Sequence, residues 1–424
     1  MIAKMRLDSS RKVSSRTDSA VLFMLFLGYL FFAFAFYLEN VLSPYSSRFL
    51  IEGLVLVSRL VFLSIALFCS LAFYKRKAPV ARIRILAVAL VYTAAGISGF
   101  IFNAHDDLGV FVAHLSVYIQ FFLLVFGYSL IGLQNDDFII AVLRWFSYII
   151  LSVNIVFVFG LFVFVDVGLY ISASLYSVGF SLSYFISSRK NHGAGILTVF
   201  LVSIFSLKRG LLLATMMHWL FTVKFKIKNL FFALFFLLVV LLLAYGIYQQ
   251  FPDAFFSKLI ESNISRSLES GSSVDAVSSG RVSIMIAVFN ELSGVYKFIF
   301  GSGFGVIFDA YGFLEGRSAE WLTSGVDVIF GHFWLLHGVV LGTILSALVS
   351  FWIFYLFFTS YYKSDVIFAF FVNLLAFNFL VSLTSFTPWD PVWGLATGLL
   401  LARYRVLRRR KDFRVNVDNS VGQE

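Results

Sequence analysis

The sequence predicts an all-α, polytopic integral membrane protein with about twelve transmembrane helices and one large loop on the outer side. Three observations predict it. Of the 424 residues, 60% are hydrophobic and only 13% are charged, whereas a soluble domain is about one-quarter charged. The mean hydropathy of +0.90 is concentrated in repeated apolar stretches of about 18 residues or more, long enough to cross a ~30 Å hydrocarbon core as helices. The Lys and Arg residues, finally, fall mostly on one side of the alternation those stretches define.

Taken in order, the apolar stretches lie near 20–38, 50–73, 85–102, 110–132, 143–165, 168–187, 193–207, 210–223, 229–249, 333–358, 366–386 and 390–404. The seventh, eighth and twelfth are shorter than a full crossing. The chain therefore divides into a basic tail (1–19), a bundle of nine spans (20–249), an outer loop (250–327), three further spans (328–404) and a second tail (405–424). With the N-terminus inside, 24 of the 33 Lys and Arg face inward, which puts both termini in the cytoplasm. The formal charge of +10 is thus a topology signal with anionic-lipid contact, not a nucleic-acid footprint.

Other classes are excluded on composition. Cys69 is the single cysteine and lies inside a span, so no intramolecular disulfide is possible. The six His show no HExxH spacing and have no Cys partners, so neither a metal site nor a cofactor is expected. The first apolar run lacks a small-residue cleavage site and reads as an uncleaved span.

The outer loop opens with a Ser-rich stretch, ESNISRSLESGSSVDAVSSG, and continues as SGRVSIMIAVFNELSGVYKFIF. There Val282, Met285, Ile286, Phe289 and Leu292 recur at helical spacing, an amphipathic helix lying on the membrane or capping a cavity. GSGFG at 301–305 ends it with backbone freedom that other residues resist.

Several charged positions suit chemistry at that face. Arg281 follows Ser278, Ser279 and Gly280 at the start of the amphipathic helix. A solvated first-turn residue is the plainer reading of its position. A cation there opposes the helix dipole, yet Arg281 with the free N–H groups makes an anion site, and its planar fork can hold two phosphate oxygens. Lys208 and Arg209 precede Gly210 in a turn between two short spans. They serve either as a hairpin snorkelling to head groups or, because polar backbone at depth must line protein or water, as a cation site facing the outer leaflet. Asp327, His332 and His337 lie where the loop re-enters the membrane. A carboxylate or neutral imidazole there could act as general base. The alternative is an ordinary polar residue at a membrane boundary, more so for His337. The five-residue spacings keep these three off one clean helix face and argue against a two-His metal motif. Glu52 and Arg59, seven apart in the second span, share a face and line the bundle interior, as a polar network or part of a pocket. NAHDDL (103–108) and TPWDPVW (387–393) read as outer turns without chemistry.

The order of these features resembles the O-antigen polymerase (Wzy-type) family, within the O-antigen polymerase and ligase superfamily. SLKRGLLL resembles the family's Ser/Arg-Gly element between two spans. SGRVSIMIAVFNELSGVYKFIFGSGFG resembles its Gly-Arg, amphipathic helix and Gly-x-Gly run. DVIFGHFWLLHGVVLG resembles its Asp or His, ten residues, then Gly-aliphatic-Gly at re-entry, with Asp327 rather than His332 in the acidic-or-His position. The likeness spans roughly residues 200–345; the first 190 match only in hydropathy.

The resemblance implies glycosyl transfer at the periplasmic face of the bacterial inner membrane, with 250–327 as a periplasmic loop. Donor and acceptor would be oligosaccharides on undecaprenyl diphosphate, with chain-length regulator and flippase proteins as partners. Arg281 and Arg209 would stabilise the departing diphosphate, Asp327 or His332 would assist the attacking hydroxyl, and Lys208, Glu52, Arg59 and His337 would bind diphosphate or sugar. No metal or nucleotide is implied. An O-antigen ligase, with lipid A–core as acceptor, shares this chemistry. A lipid-linked oligosaccharide flippase would more often keep balanced short loops and midplane charges.

Overall fold

The computed structural model describes residues 17–30, 48–76, 80–103, 107–156, 175–188, 193–205, 209–222, 281–309, 322–323, 326, 328–384 and 391–421, with isolated positions between 235 and 250. These are mostly helical. Helices cover Thr17–Leu30 (α1), Arg48–Ala72 (α2), Val80–Asn103 (α3), Leu108–Tyr128 (α4), Asp136–Ile155 (α5), Leu175–Ser187 (α6), Gly193–Phe205 (α7) and Arg209–Thr222 (α8). They continue with Arg281–Glu291 (α9), Val295–Phe300 (α10), Ile329–Phe358 (α11), Ser360–Ser364 (α12), Val366–Ser382 (α13) and Val392–Val421 (α14). A two-residue antiparallel pair, Phe308–Asp309 (β1) with Leu322–Thr323 (β2), closes the loop before α11.

By length and composition, α3, α4, α5 and α11 can each cross a membrane, and shorter apolar helices accompany them. This is compatible with a multi-pass membrane protein. The helices begin where the sequence supplies caps. Asp107 accepts from Val110 N before α4, Asn135 from Phe138 N before α5, and Asp365 from Phe368 N before α13. The ninth span is described only at isolated positions, and the Ser-rich part of the loop lies outside the described residues.

The core is built around α13, which is buried along almost its whole length and packs against α6, α8, α11 and α14. Its Phe370 meets Phe180 of α6 edge-on at 4.9 Å, and Phe180 in turn meets Phe26 of α1 at 5.5 Å. Between α2 and α4, the buried Tyr128 hydroxyl donates to Phe62 O at 2.7 Å.

One end of the bundle is tied by arginines. Arg76 donates to Asp18 Oδ1 at 2.6 Å and to Leu130 O at 3.0 Å, and Asp18 Oδ1 also accepts from Gly132 N. The fully buried Arg403 of α14 donates to both oxygens of Asp365, to Asp136 Oδ1 at 2.7 Å and to Leu133 O at 2.6 Å. Arg405 reaches Leu130 O and Ile131 O. The turn 129–135 is thereby clasped to α1, α13 and α14. Helix α14 runs on past 404 to Val421, since Arg and Lys are good helix formers and Arg405 and Arg410 have partners on the turn.

The opposite end holds a wedge. Residues 301–305 insert between α3 and α11, with Gly301, Gly303 and Gly305 all at φ between +84° and +88°. Ser302 N donates to Leu335 O and Phe304 N to Gly96 O, both at 2.9 Å. Asn103 Nδ2 donates to Ser302 O at 3.1 Å. The approach is backbone to backbone: a Cβ on Gly99 would lie 2.5 Å from Gly303 Cα. Helix α11 is itself broken at Gly338 (φ 79°, ψ 165°), a conformation open in practice only to glycine. The break frees carbonyls of the turn before it, and Leu335 O finds an outside donor in Ser302 N; past the break the Tyr92 hydroxyl donates to Leu341 O at 2.9 Å.

Candidate functional site

The wedge positions a cluster of aromatic and imidazole side chains. His332 and His337 of α11 face His114 and Tyr118, one turn apart on α4. The His114 and His332 rings are 6.0 Å apart. Tyr118 Oη and His337 Nε2 share a hydrogen bond of 2.5 Å, and Tyr92 of α3 meets the His337 ring edge-on at 5.1 Å. Phe304, at the tip of the wedge, packs against His114, Tyr118 and His337. His114 Nδ1 accepts from Gly305 N at 3.2 Å.

All three imidazoles are buried, at 4% or less exposure. His337 is thus covered by protein rather than exposed. Despite the five-residue spacing, both rings meet α4, His332 at His114 and His337 at Tyr118, and the wedge also packs on His337. Among the described residues, no group of three His, Cys, Asp or Glu is arranged to hold a metal.

The cluster stands at one end of a cavity of about 340 Å³ between α3, α4, α11 and α14. His332, Tyr118 and Tyr92 line that end. Most of the remaining wall is apolar, including Val88, Phe121 and Leu348. The cavity extends toward the clasped end, where Trp352, Trp393 and Arg84 line it. Such a space suits a long apolar chain with polar groups at its extremities.

Arg281 heads α9, as its Gly-Arg context predicts, and its Nε donates to Thr384 O beyond the end of α13. One turn on, Met285 packs so closely on Gly331 that a Cβ there would lie 2.5 Å from Met285 Sδ. Arg281 and His332 thus belong to the same end of the molecule. Arg59 is half-buried on α2 and does not line the cavity. Arg209 and Glu52 are helical, but their side chains lie outside the described residues, as do Lys208 and Asp327 entirely.

Sequence reasoning missed His114, Tyr118 and Tyr92, which sit inside spans that hydropathy treats as uniform. Asn103 was read as part of a plain outer turn, yet it holds the wedge. A buried histidine on α8, His218, was also missed. Among the described residues neither of its ring nitrogens has a hydrogen-bond partner, and its ring meets Phe377 edge-on at 5.9 Å. A signal was present for the α4 pair: His and Tyr four apart in an otherwise apolar span mark one face.

No protein-family model matches this chain, and no curated protein matches it.

Proposed function

We propose that this chain is an O-antigen (surface polysaccharide) polymerase of the Wzy type, joining repeat units carried on undecaprenyl diphosphate. In this reading it has twelve spans in the bacterial inner membrane, cytoplasmic termini and a periplasmic loop at 250–327. The clasped end is then cytoplasmic and the wedge end periplasmic. One observation carries the reading: His332 lines the polar end of an apolar cavity, beside the helix that Arg281 heads.

The chemistry follows from that placement. The apolar cavity takes part of the polyisoprenoid chain, which leaves the diphosphate and the first sugar at the periplasmic level. The acceptor hydroxyl attacks the anomeric carbon, and a C–O bond forms as the bond to the diphosphate oxygen breaks. The hydroxyl proton passes to His332 Nδ1 or Nε2, or to the Asp327 carboxylate. Undecaprenyl diphosphate leaves with the bonding electron pair, and Arg281 and Arg209 stabilise its developing charge, usually a large term in catalysis. The wedge supports His332 from behind through Phe304 and His114.

The test is the lipopolysaccharide ladder of a deletion strain complemented with wild type, Arg281→Ala or His332→Ala. Wild type restores the ladder, and both variants leave core bearing a single repeat while membrane levels stay normal. A full ladder in both variants overturns the roles assigned to them. Core without any repeat, with lipid-linked polymer accumulating, would instead identify a ligase.

A further inference from the structure

Tyr118 and His337 share one hydrogen bond, and counting their protons exposes a surplus of one. A phenol carries one O–H and a neutral imidazole one N–H. The single Oη–Nε2 contact uses one of the two. Among the described residues His337 Nδ1 is buried with no hydrogen-bond partner, and the whole side chain is 0% exposed. If Tyr118 donates, the proton on Nδ1 is stranded in a closed site. If His337 donates from Nε2, Nδ1 carries only a lone pair, and the Tyr118 proton is turned elsewhere.

The two residues differ in where that spare proton can go. Tyr118 lines the cavity and is only partly buried, whereas His337 does not line it. The second arrangement is therefore satisfied when the cavity holds an oxygen acceptor at the level of Tyr118. Tyr92, the other phenol in the lining, is already committed to Leu341 O. An empty or purely apolar filling returns the pair to the first arrangement.

We propose that Tyr118 is the hydrogen-bond donor with which the cavity recognises the oxygen-bearing head of a long-chain amphiphile, and that the His337 tautomer switches with its arrival. The ligand class, an isoprenoid phosphate, rests on the function proposed above. Tyr118 would touch the phosphate or the bridging oxygen next to the chain. His337 acts through Tyr118 and is a positioning residue.

The experiment uses the full-length protein in lipid nanodiscs with ¹⁵N-labelled histidine, the His337 signals being assigned by their loss in His337→Asn. Two probes are compared: undecaprenyl monophosphate and squalene, an isoprenoid hydrocarbon without oxygen. Undecaprenyl monophosphate is expected to shift the protonated ring nitrogen of His337 from Nδ1 to Nε2, and squalene is not. Tyr118→Phe, which keeps the ring, is expected to bind undecaprenyl monophosphate about tenfold more weakly, with squalene binding unchanged. An unchanged tautomer with undecaprenyl monophosphate bound to wild type overturns the proposal, as does equal affinity in Tyr118→Phe. If either occurs while polymer formation still depends on Arg281, the polymerase reading stands and only Tyr118's role falls. If wild type binds squalene but not undecaprenyl monophosphate, both fall together.

Discussion

Replacing Gly99 by Ala is the sharpest test of the wedge, because helix propensity and packing predict opposite signs. In the interior of α3, Ala is favoured over Gly by about 1 kcal/mol, so local reasoning expects a more stable protein. In the folded chain the new Cβ would lie 2.5 Å from Gly303 Cα, 2.9 Å from Gly303 N and 3.3 Å from Ser302 C. All three atoms are backbone and cannot rotate aside. Restoring ordinary contact, about 3.5 to 4 Å between carbons, displaces the wedge by about 1 Å. Overpacking of this kind costs about 1–3 kcal/mol. Straining Phe304 N→Gly96 O and Asn103 Nδ2→Ser302 O adds about 1 kcal/mol or more for each bond lost. The net expectation is destabilisation by about 1–3 kcal/mol, and larger still for function, since a misplacement of about 1 Å can lower a rate ~100-fold. Thermal unfolding of the purified protein in detergent, with Ser98→Ala as a control whose hydroxyl bonds only within α3, measures the first effect. The polysaccharide ladder measures the second. A Gly99→Ala protein that melts at or above the wild-type temperature and makes a full ladder would refute the packing of 301–305 on α3.

Three further outcomes are expected. Arg403→Ala leaves Asp365 and Asp136 without their shared buried cation and should destabilise by about 3 kcal/mol or more. Arg410→Ala removes an exposed partner of the same Asp136 and should lose under about 1 kcal/mol; chemical denaturation in mixed micelles separates the two. Tyr128→Phe should lower stability by about 1 kcal/mol by removing the bond its buried hydroxyl donates to Phe62 O, read from the same denaturation curves. On the proposed function, Arg281→Lys should fail to extend chains while Arg209→Lys retains extension, if bidentate phosphate contact belongs to Arg281; the ladder of each complemented strain reads this directly.

The long apolar helices α3, α4 and α11, the helix that starts at Arg281 and the positive-φ turn at 301–305 were all legible in the sequence. Each is written locally, as hydropathy over a window, as side chains at helical spacing, or as glycines where other residues would be strained. The re-entry segment announced its polar residues too, but not their surroundings. Nothing near His337 in sequence shows that Phe304 and Tyr118 will cover it.

What the sequence by itself determined, then, was a mostly helical, membrane-compatible chain with long apolar helices. Those properties follow from free energies that each residue or short segment carries alone: transfer into hydrocarbon, charge placement and backbone preference. Only the tertiary structure decided that Gly99 meets Gly303, that His114 stands against His332, and that Arg403 gathers Asp136 and Asp365. These pairings join residues far apart in the chain. Their energy resides in contacts that exist only once the helices are packed, so no local period records them.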